Sequence, residues 1–161
     1  MTELNKEFIS AMMKCWEWQQ VVQNNTKLKP NDVDSLKEAY AIINVTEEET
    51  EETKEAMLAY VKGDQDKTEI RDGLGDQVFT VTQQSAISDI SFETFQKDFI
   101  EIVKNNFTKI HRSLKEAKKT QEYYSFDTYI QEHEKGIVVR NSKTHKVLKP
   151  YNFTPVQLGK E

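Results

Sequence analysis

The sequence predicts an all-α fold: a helical bundle of four to five helices, followed by a short C-terminal β-hairpin and an irregular tail. Three observations predict it. Glycine and proline number only 5 and 3 in 161 residues, and the long stretches between them favour helices. Apolar residues recur at three- and four-residue spacing in the segments that begin at Glu3 and after Ser91. Near the C-terminus, "GIVVRNSKTHKVLKP" offers two short β-favouring runs around a polar turn, the pattern of a hairpin.

The first helix is expected from about Glu3 to Val22, where Leu4, Phe8, Met12 and Trp16 repeat every four residues. "NNTKLKPND" breaks it. The second runs from near Asp34 to Lys62, with Gly63 available for the left-handed conformation that caps a helix end. Asp66 and Glu69 have the spacing of a capping box and open a third helix that reaches about Ser85. The fourth begins after Ser91 and lines Phe92, Phe95, Phe99, Ile102 and Val103 along one face. Beyond Asn105 the chain turns polar and basic; "RSLKEAKKTQEYY" reads as one more helix and "YNFTPVQLGKE" as an irregular tail. These divisions make residues 1–110 a helical core. Residues 111–161 then supply a helix, hairpin and tail that pack on the same domain. Four modest helices do not cover their apolar stripes alone, so a homodimer or homotetramer is expected.

Hydrophobic residues make up 37% of the chain and the mean hydropathy is −0.74, so apolar side chains must be confined to narrow faces. Cys15 is the single cysteine, which rules out an internal disulfide framework and fits a reducing compartment. No apolar run approaches the roughly 20 residues of a membrane helix, and "MTELNKEFIS" lacks the apolar stretch of a secretory signal. A cytoplasmic location without membrane association is expected. The net charge of −5 argues against sequence-independent nucleic-acid binding. That charge is unevenly divided: residues 1–100 hold 10 Lys+Arg against 20 Asp+Glu, and residues 101–161 hold 12 against 7. The asymmetry suits a metal site in the first part and phosphate contacts in the second, or a chance scatter of surface charge.

The acids of the second and third helices fall into two groups. At roughly 100° per residue, Ile42, Val45, Glu49, Glu52, Ala56 and Tyr60 share one stripe. Thr46, Thr50, Thr53 and Met57 lie on a parallel one. Glu48, Glu51 and Glu55 fall on the opposite side, where solvation accounts for them. Glu49 and Glu52 take positions that the flanking turns fill with apolar residues. A buried carboxylate escapes its desolvation by protonation, pairing or a metal. On the third helix, Asp72 and Asp76 share a face with Phe79 and Gln83, and Gly73 and Gly75 open the backbone to close approach. Two acids from each of two adjacent helices suit a hard divalent cation, Mg2+ or Mn2+, that keeps water positions for substrate phosphates. A solvated charged face is the rival reading. "DQDKTEIRDGLGD" is not an EF-hand, because Glu69 occupies the turn-glycine position and Gly75 that of the bidentate glutamate.

The order of these features resembles the all-α nucleoside triphosphate pyrophosphohydrolases, the MazG-like group that includes dimeric dUTPases and phosphoribosyl-ATP pyrophosphohydrolase. That group carries E-E-x-x-E on one helix and E-x-x-D on the next; here "EETEE" supplies Glu48, Glu49 and Glu52, and "GLGD" ends in Asp76. "VKNNFTKI" and "VVRNSKTHKVLKPYNFTPVQL" resemble segments of a subset often found in phages, so the similarity covers roughly Ile42 to Leu158. The resemblance implies magnesium-dependent hydrolysis of a (d)NTP between its α- and β-phosphates, giving a monophosphate and pyrophosphate, in the host cytoplasm if the chain is of phage origin. It implies Glu49, Glu52 and Asp76 as metal ligands, with Glu48 orienting or deprotonating the attacking water. It implies that Asn106 and Lys109 contact substrate. One position departs: Gly73 stands where the second motif begins with glutamate, and Asp72 is the neighbour that can supply the missing oxygen. If it does not, the chain is a catalytically degenerate relative that binds nucleotide or a protein partner.

The remaining reactive residues read as structural. His111, His133 and His145 have no metal-ligand spacing and are expected on the surface. Cys15, beside Met12 and Trp16, is expected in packing, as are Trp16 and Trp18 in helix core or oligomer interface. Lys118 and Lys119 are expected on a solvated face.

Overall fold

Five helices and two strands follow one another in the order α1 (Glu3–Val22), α2 (Val33–Val61), α3 (Thr68–Ile87), α4 (Phe92–Phe107), α5 (Leu114–Tyr123), β1 (Thr128–His133) and β2 (Gly136–Asn141). The computed structural model describes residues 2–22 and 27–159; Asn24, Asn25 and Thr26 of the expected break lie outside them. The fold is the helical architecture with a C-terminal hairpin that the sequence predicts. The chain divides into two compact units, Met1–Phe95 and Gln96–Glu161, and the division falls inside α4.

In the first unit, α3 packs against both α2 and α1. Helix α2 starts where Asp32 accepts from the Ser35 amide at 2.7 Å, a cap that satisfies one of the free donors of the first turn. Hydrogen bonding from the Ser35 side chain and then its amide holds the Asp32 carboxyl below its usual range. It ends at Lys62, followed by Gly63 at φ +117. The expected capping box on α3 does not form. Asp66 instead turns onto the residue two ahead, accepting from the Thr68 amide at 2.9 Å and its hydroxyl at 2.7 Å, so its oxygen is committed before the helix begins. The end of α1 is held by aromatic packing. Trp16 lies 5.0 Å from Phe92 and 5.4 Å from Phe95, ring centre to ring centre, and its indole N–H donates to the Ile90 carbonyl at 3.0 Å. Ile42, Ala86 and Ile87 are buried. Gln19 is buried as well, and among the described residues neither its amide nitrogen nor its amide oxygen has a hydrogen-bond partner.

In the second unit, Ser113 caps α5 by accepting from the Glu116 amide, and Glu116 reaches back to the Arg112 amide at 3.2 Å. The hairpin differs from the expected one. Strand β2, "GIVVRN", pairs antiparallel with the preceding β1, "TYIQEH", with Ile130 opposite Val139 and Tyr129 opposite Arg140. The "KVLK" run contributes only an isolated bridge, Val147 to Arg140, and the Leu148 amide donates to Val139 O at 2.8 Å. A turn of only two residues, Glu134 and Lys135, joins β1 to β2, and so short a connection sets register more strongly than the longer loop after β2. Ala117 of α5 packs with Val139 and Leu148 as the core, with Tyr124, Ile130 and Ile137 around it.

Candidate functional site

The seam between α2 and α3 is polar. Thr46 Oγ1 donates to the Ile42 carbonyl at 3.0 Å and accepts from Gln84 Nε2 at 2.6 Å. One heptad further along α2, Thr53 Oγ1 donates to the Glu49 carbonyl at 2.8 Å and accepts from Gln77 Nε2 at 2.7 Å. The two threonines and the two glutamines are each seven residues apart, and their pairing runs the helices antiparallel. Beside Thr53 lies Gly73, also buried; a Cβ there would overlap the threonine hydroxyl and stand 3.2 Å from Thr53 Cβ. The face of α2 that meets α3 is therefore Ile42, Thr46, Glu49, Thr53 and Ala56. It takes one row of the expected Ile42–Tyr60 stripe and one of its parallel neighbour, because α3 sits over the groove between them. The matching spacing of threonines and glutamines was the signal in the sequence for this seam, and hydrophobic periodicity does not register it.

Glu49 lies on this seam between Thr46 and Thr53 and is half-buried. Its carboxyl is pushed above the usual range, first by partial desolvation and then by the negative charges of Asp76, Glu52, Glu48 and Asp72. Acids of two helices thus act on one carboxylate. Glu52 is a correction to the expected pattern: it is exposed, as are Glu48, Glu51 and Glu55, and as are Asp72 and Asp76 on α3. Only Glu49 of the predicted ligands is drawn inward. The departure at Gly73 also gains a physical reason. That position faces Thr53 of α2, so an acid there would point into the helix seam.

Asn106 and Lys109 belong to the second unit, in the last turn of α4 and the turn that follows it. Lys109 Nζ donates to Asn106 Oδ1 at 2.5 Å, and Asn106 Nδ2 donates to the Ile102 carbonyl at 3.0 Å. His133 and His145 are exposed as expected, but His111 is buried, its backbone paired with Ile137 on both sides. Among the described residues its Nε2 has no partner, and burial lowers its pKa while Glu116 opposes that shift. Cys15 is half-buried and donates to the Ala11 carbonyl at 3.4 Å; Trp18 is half-exposed and meets Phe79 edge-on at 6.1 Å.

The donor set of Glu49, Glu52, Asp72 and Asp76 is all oxygen and all anionic, the chemistry that suits magnesium or manganese. Among the described residues, no three histidine, cysteine, aspartate or glutamate side chains are gathered closely enough to ligate one ion. No helix among the described residues is long and apolar enough to cross a membrane. No protein-family model, curated protein or solved structure matches this chain.

Proposed function

We propose that the chain is a metal-dependent nucleoside triphosphate pyrophosphohydrolase. It cleaves a (d)NTP between the α- and β-phosphates to a (d)NMP and pyrophosphate. The observation that carries this reading is Glu49: a half-buried carboxylate on α2 whose pKa is raised by acids of its own helix and of α3. Concentrated like charge beside a desolvated acid destabilises the fold, and such arrangements mark sites that bind cations or handle protons. Glu49, Glu52, Asp72 and Asp76 are the groups that would hold Mg2+ or Mn2+. When bound, the ion supplies charge neutralisation on the phosphates and a lowered pKa for coordinated water. Glu48, exposed on the same turn as Glu49, is the carboxylate that accepts the proton of the attacking water as the bridging Pα–O bond breaks. The similarity of "EETEE" and "GLGD" to the acidic motifs of MazG-like enzymes supports the same reading.

The active form on this proposal is a homodimer or homotetramer. Its support is apolar surface on the first unit: Leu4 and Phe8 of α1 and Leu36, Tyr40 and Ile43 of α2 are exposed in rows at helical spacing, and apolar residues gathered in rows are what a second copy would cover.

The test is incubation of the full chain with each of the eight common (d)NTPs and magnesium. Monophosphate and pyrophosphate in equal amounts support the proposal, and no product from any nucleotide removes it. Gly73 favours a second reading. It stands where the motif carries an acid and is committed to the contact with Thr53, so a degenerate protein that binds nucleotide without hydrolysis is the alternative. Calorimetry separates the two, since tight binding without product selects the second.

A further inference from the structure

We propose that the outer face of α5, with the two tyrosines beside it, is a binding surface for single-stranded nucleic acid. The whole-chain charge of −5 averages two units of opposite sign: residues 96–161 hold 13 lysines and arginines against 8 acids, a net of +5. Helix α5 buries Ala117 and Thr120 completely. Lys115, Lys118 and Lys119 are thereby turned to the opposite face, since residues three and four apart stack on one side of a helix. With Leu114 and Glu122 they line a shallow depression.

Several helical lysines are neutralised within their own helix, as Lys54 pairs with Glu51 and Lys104 with Glu101. Among the described residues, the three lysines of α5 have no such ion pair. Glu116 of the same helix is drawn away to the Arg112 amide.

Exposed aromatic rings flank these cations. The tail returns along α5, where the Tyr151 amide donates to Thr120 Oγ1 at 3.3 Å and Lys119 Nζ stands 5.8 Å above the Tyr151 ring. Tyr123, one turn beyond Lys119, projects from the same edge of the helix. Tyr123 is 66% exposed and Tyr151 42%, yet neither is loosely held. Tyr123 meets Tyr124 edge-on at 5.3 Å, and the Tyr124 hydroxyl donates to the Lys149 carbonyl at 2.9 Å.

Unpaired lysines that track a phosphate chain, beside open rings on which bases stack, are what a single strand requires. A duplex hides its bases from the rings. An acidic peptide would use the lysines and leave the tyrosines idle. This inference is independent of the pyrophosphohydrolase reading, whose carrying observation is Glu49 and its neighbouring acids in the other unit.

The experiment is fluorescence anisotropy of fluorescein-labelled dT20 and rU20 with the full chain at a series of NaCl concentrations. Wild type should bind at low salt, with log K falling against log[salt] at a slope of about −2, the value for three neutralised phosphates of a single strand. Lys115→Gln/Lys118→Gln/Lys119→Gln should weaken binding at least tenfold and flatten that slope. Tyr123→Ala/Tyr151→Ala should weaken it about fivefold or more with the slope unchanged. Lys143→Gln/Lys146→Gln, in the loop after β2, should change neither. All these side chains are exposed, so circular dichroism should stay at its wild-type value. The proposal is overturned by absence of binding at the lowest salt, by a triple-lysine variant that binds like wild type, or by equal loss in the loop variant. Equally tight binding of a duplex of the same length overturns it too, as does competition by polyglutamate as effective as that by the oligonucleotide.

Discussion

Gly73 of α3 lies directly against Thr53 of α2, so closely that any side chain at 73 would overlap the threonine hydroxyl. That hydroxyl is already committed, donating to the Glu49 carbonyl and accepting from Gln77. The contact brings the turn that carries Asp72 and Asp76 up to the turn that carries Glu49 and Glu52. The glycine that breaks the acidic motif is thus what lets the two acidic helices approach each other.

Gly73→Ala should therefore destabilise the first unit by about 1–3 kcal/mol, the usual range for overpacking, read as a lower midpoint in urea. Thr53→Ala in the same chain should recover part of the loss, because the nearest overlapping atom is removed. Gly73→Glu, which restores the motif on paper, should be worse than alanine. A stable, more active Gly73→Glu variant would contradict the seam geometry.

Glu49 carries its charge at a cost. Its raised pKa means that the folded chain holds a proton there to higher pH than the unfolded chain does, so stability declines as pH rises through the ordinary carboxylate range toward the raised value. Glu49→Gln should accordingly raise Tm at pH 7 and flatten that dependence. Magnesium should raise Tm in wild type and not in Glu49→Gln/Asp76→Asn; an equal rise in both would place the ion elsewhere.

Turnover should depend on the acids by role. Glu48→Gln should lower kcat by about 10²–10⁴, the range for a lost general base, while leaving the magnesium-induced rise in Tm intact. Glu49→Gln and Glu52→Gln should abolish turnover with helical circular dichroism unchanged. Full activity in both would assign the chemistry to another face of α2.

His111 predicts acid sensitivity in the second unit. Its pKa lies below the ordinary 6.5 because the ring is buried, so below that pH the unfolded chain binds a proton that the folded unit excludes. Stability is full above about pH 6.5 and falls as pH drops through 6.5 toward the depressed value. Tryptophan is absent from this unit, so near-ultraviolet dichroism of its tyrosines is the readout. His111→Gln should remove the dependence.

Self-association should rest on the first unit. Leu4 is 72% exposed and Phe8 61%, on the same face of α1. Leu4→Glu/Phe8→Glu should lower the mass measured by sedimentation from dimer or tetramer toward monomer. A wild-type chain that sediments as a monomer at high concentration would rule the assembly out.

The sequence by itself determined the five helices and most of their ends. The stop at Gly63, the start of α4 after Ser91 and a helix within "RSLKEAKKTQEYY" follow from turn chemistry and from a period of 3.6, which are local properties that each segment carries with it. It also determined that Glu51 and Glu55 face water. Tertiary structure alone decided which groove of α2 receives α3, and with it that Glu49 turns inward while Glu52 stays exposed. It decided that "GIVV" pairs with the strand before it and that His111 is buried. Each of these outcomes depends on which surface a neighbour covers. A stripe on an isolated helix records where apolar atoms lie, whereas threonines and glutamines enter a seam only when partners seven residues apart meet them from the opposing helix.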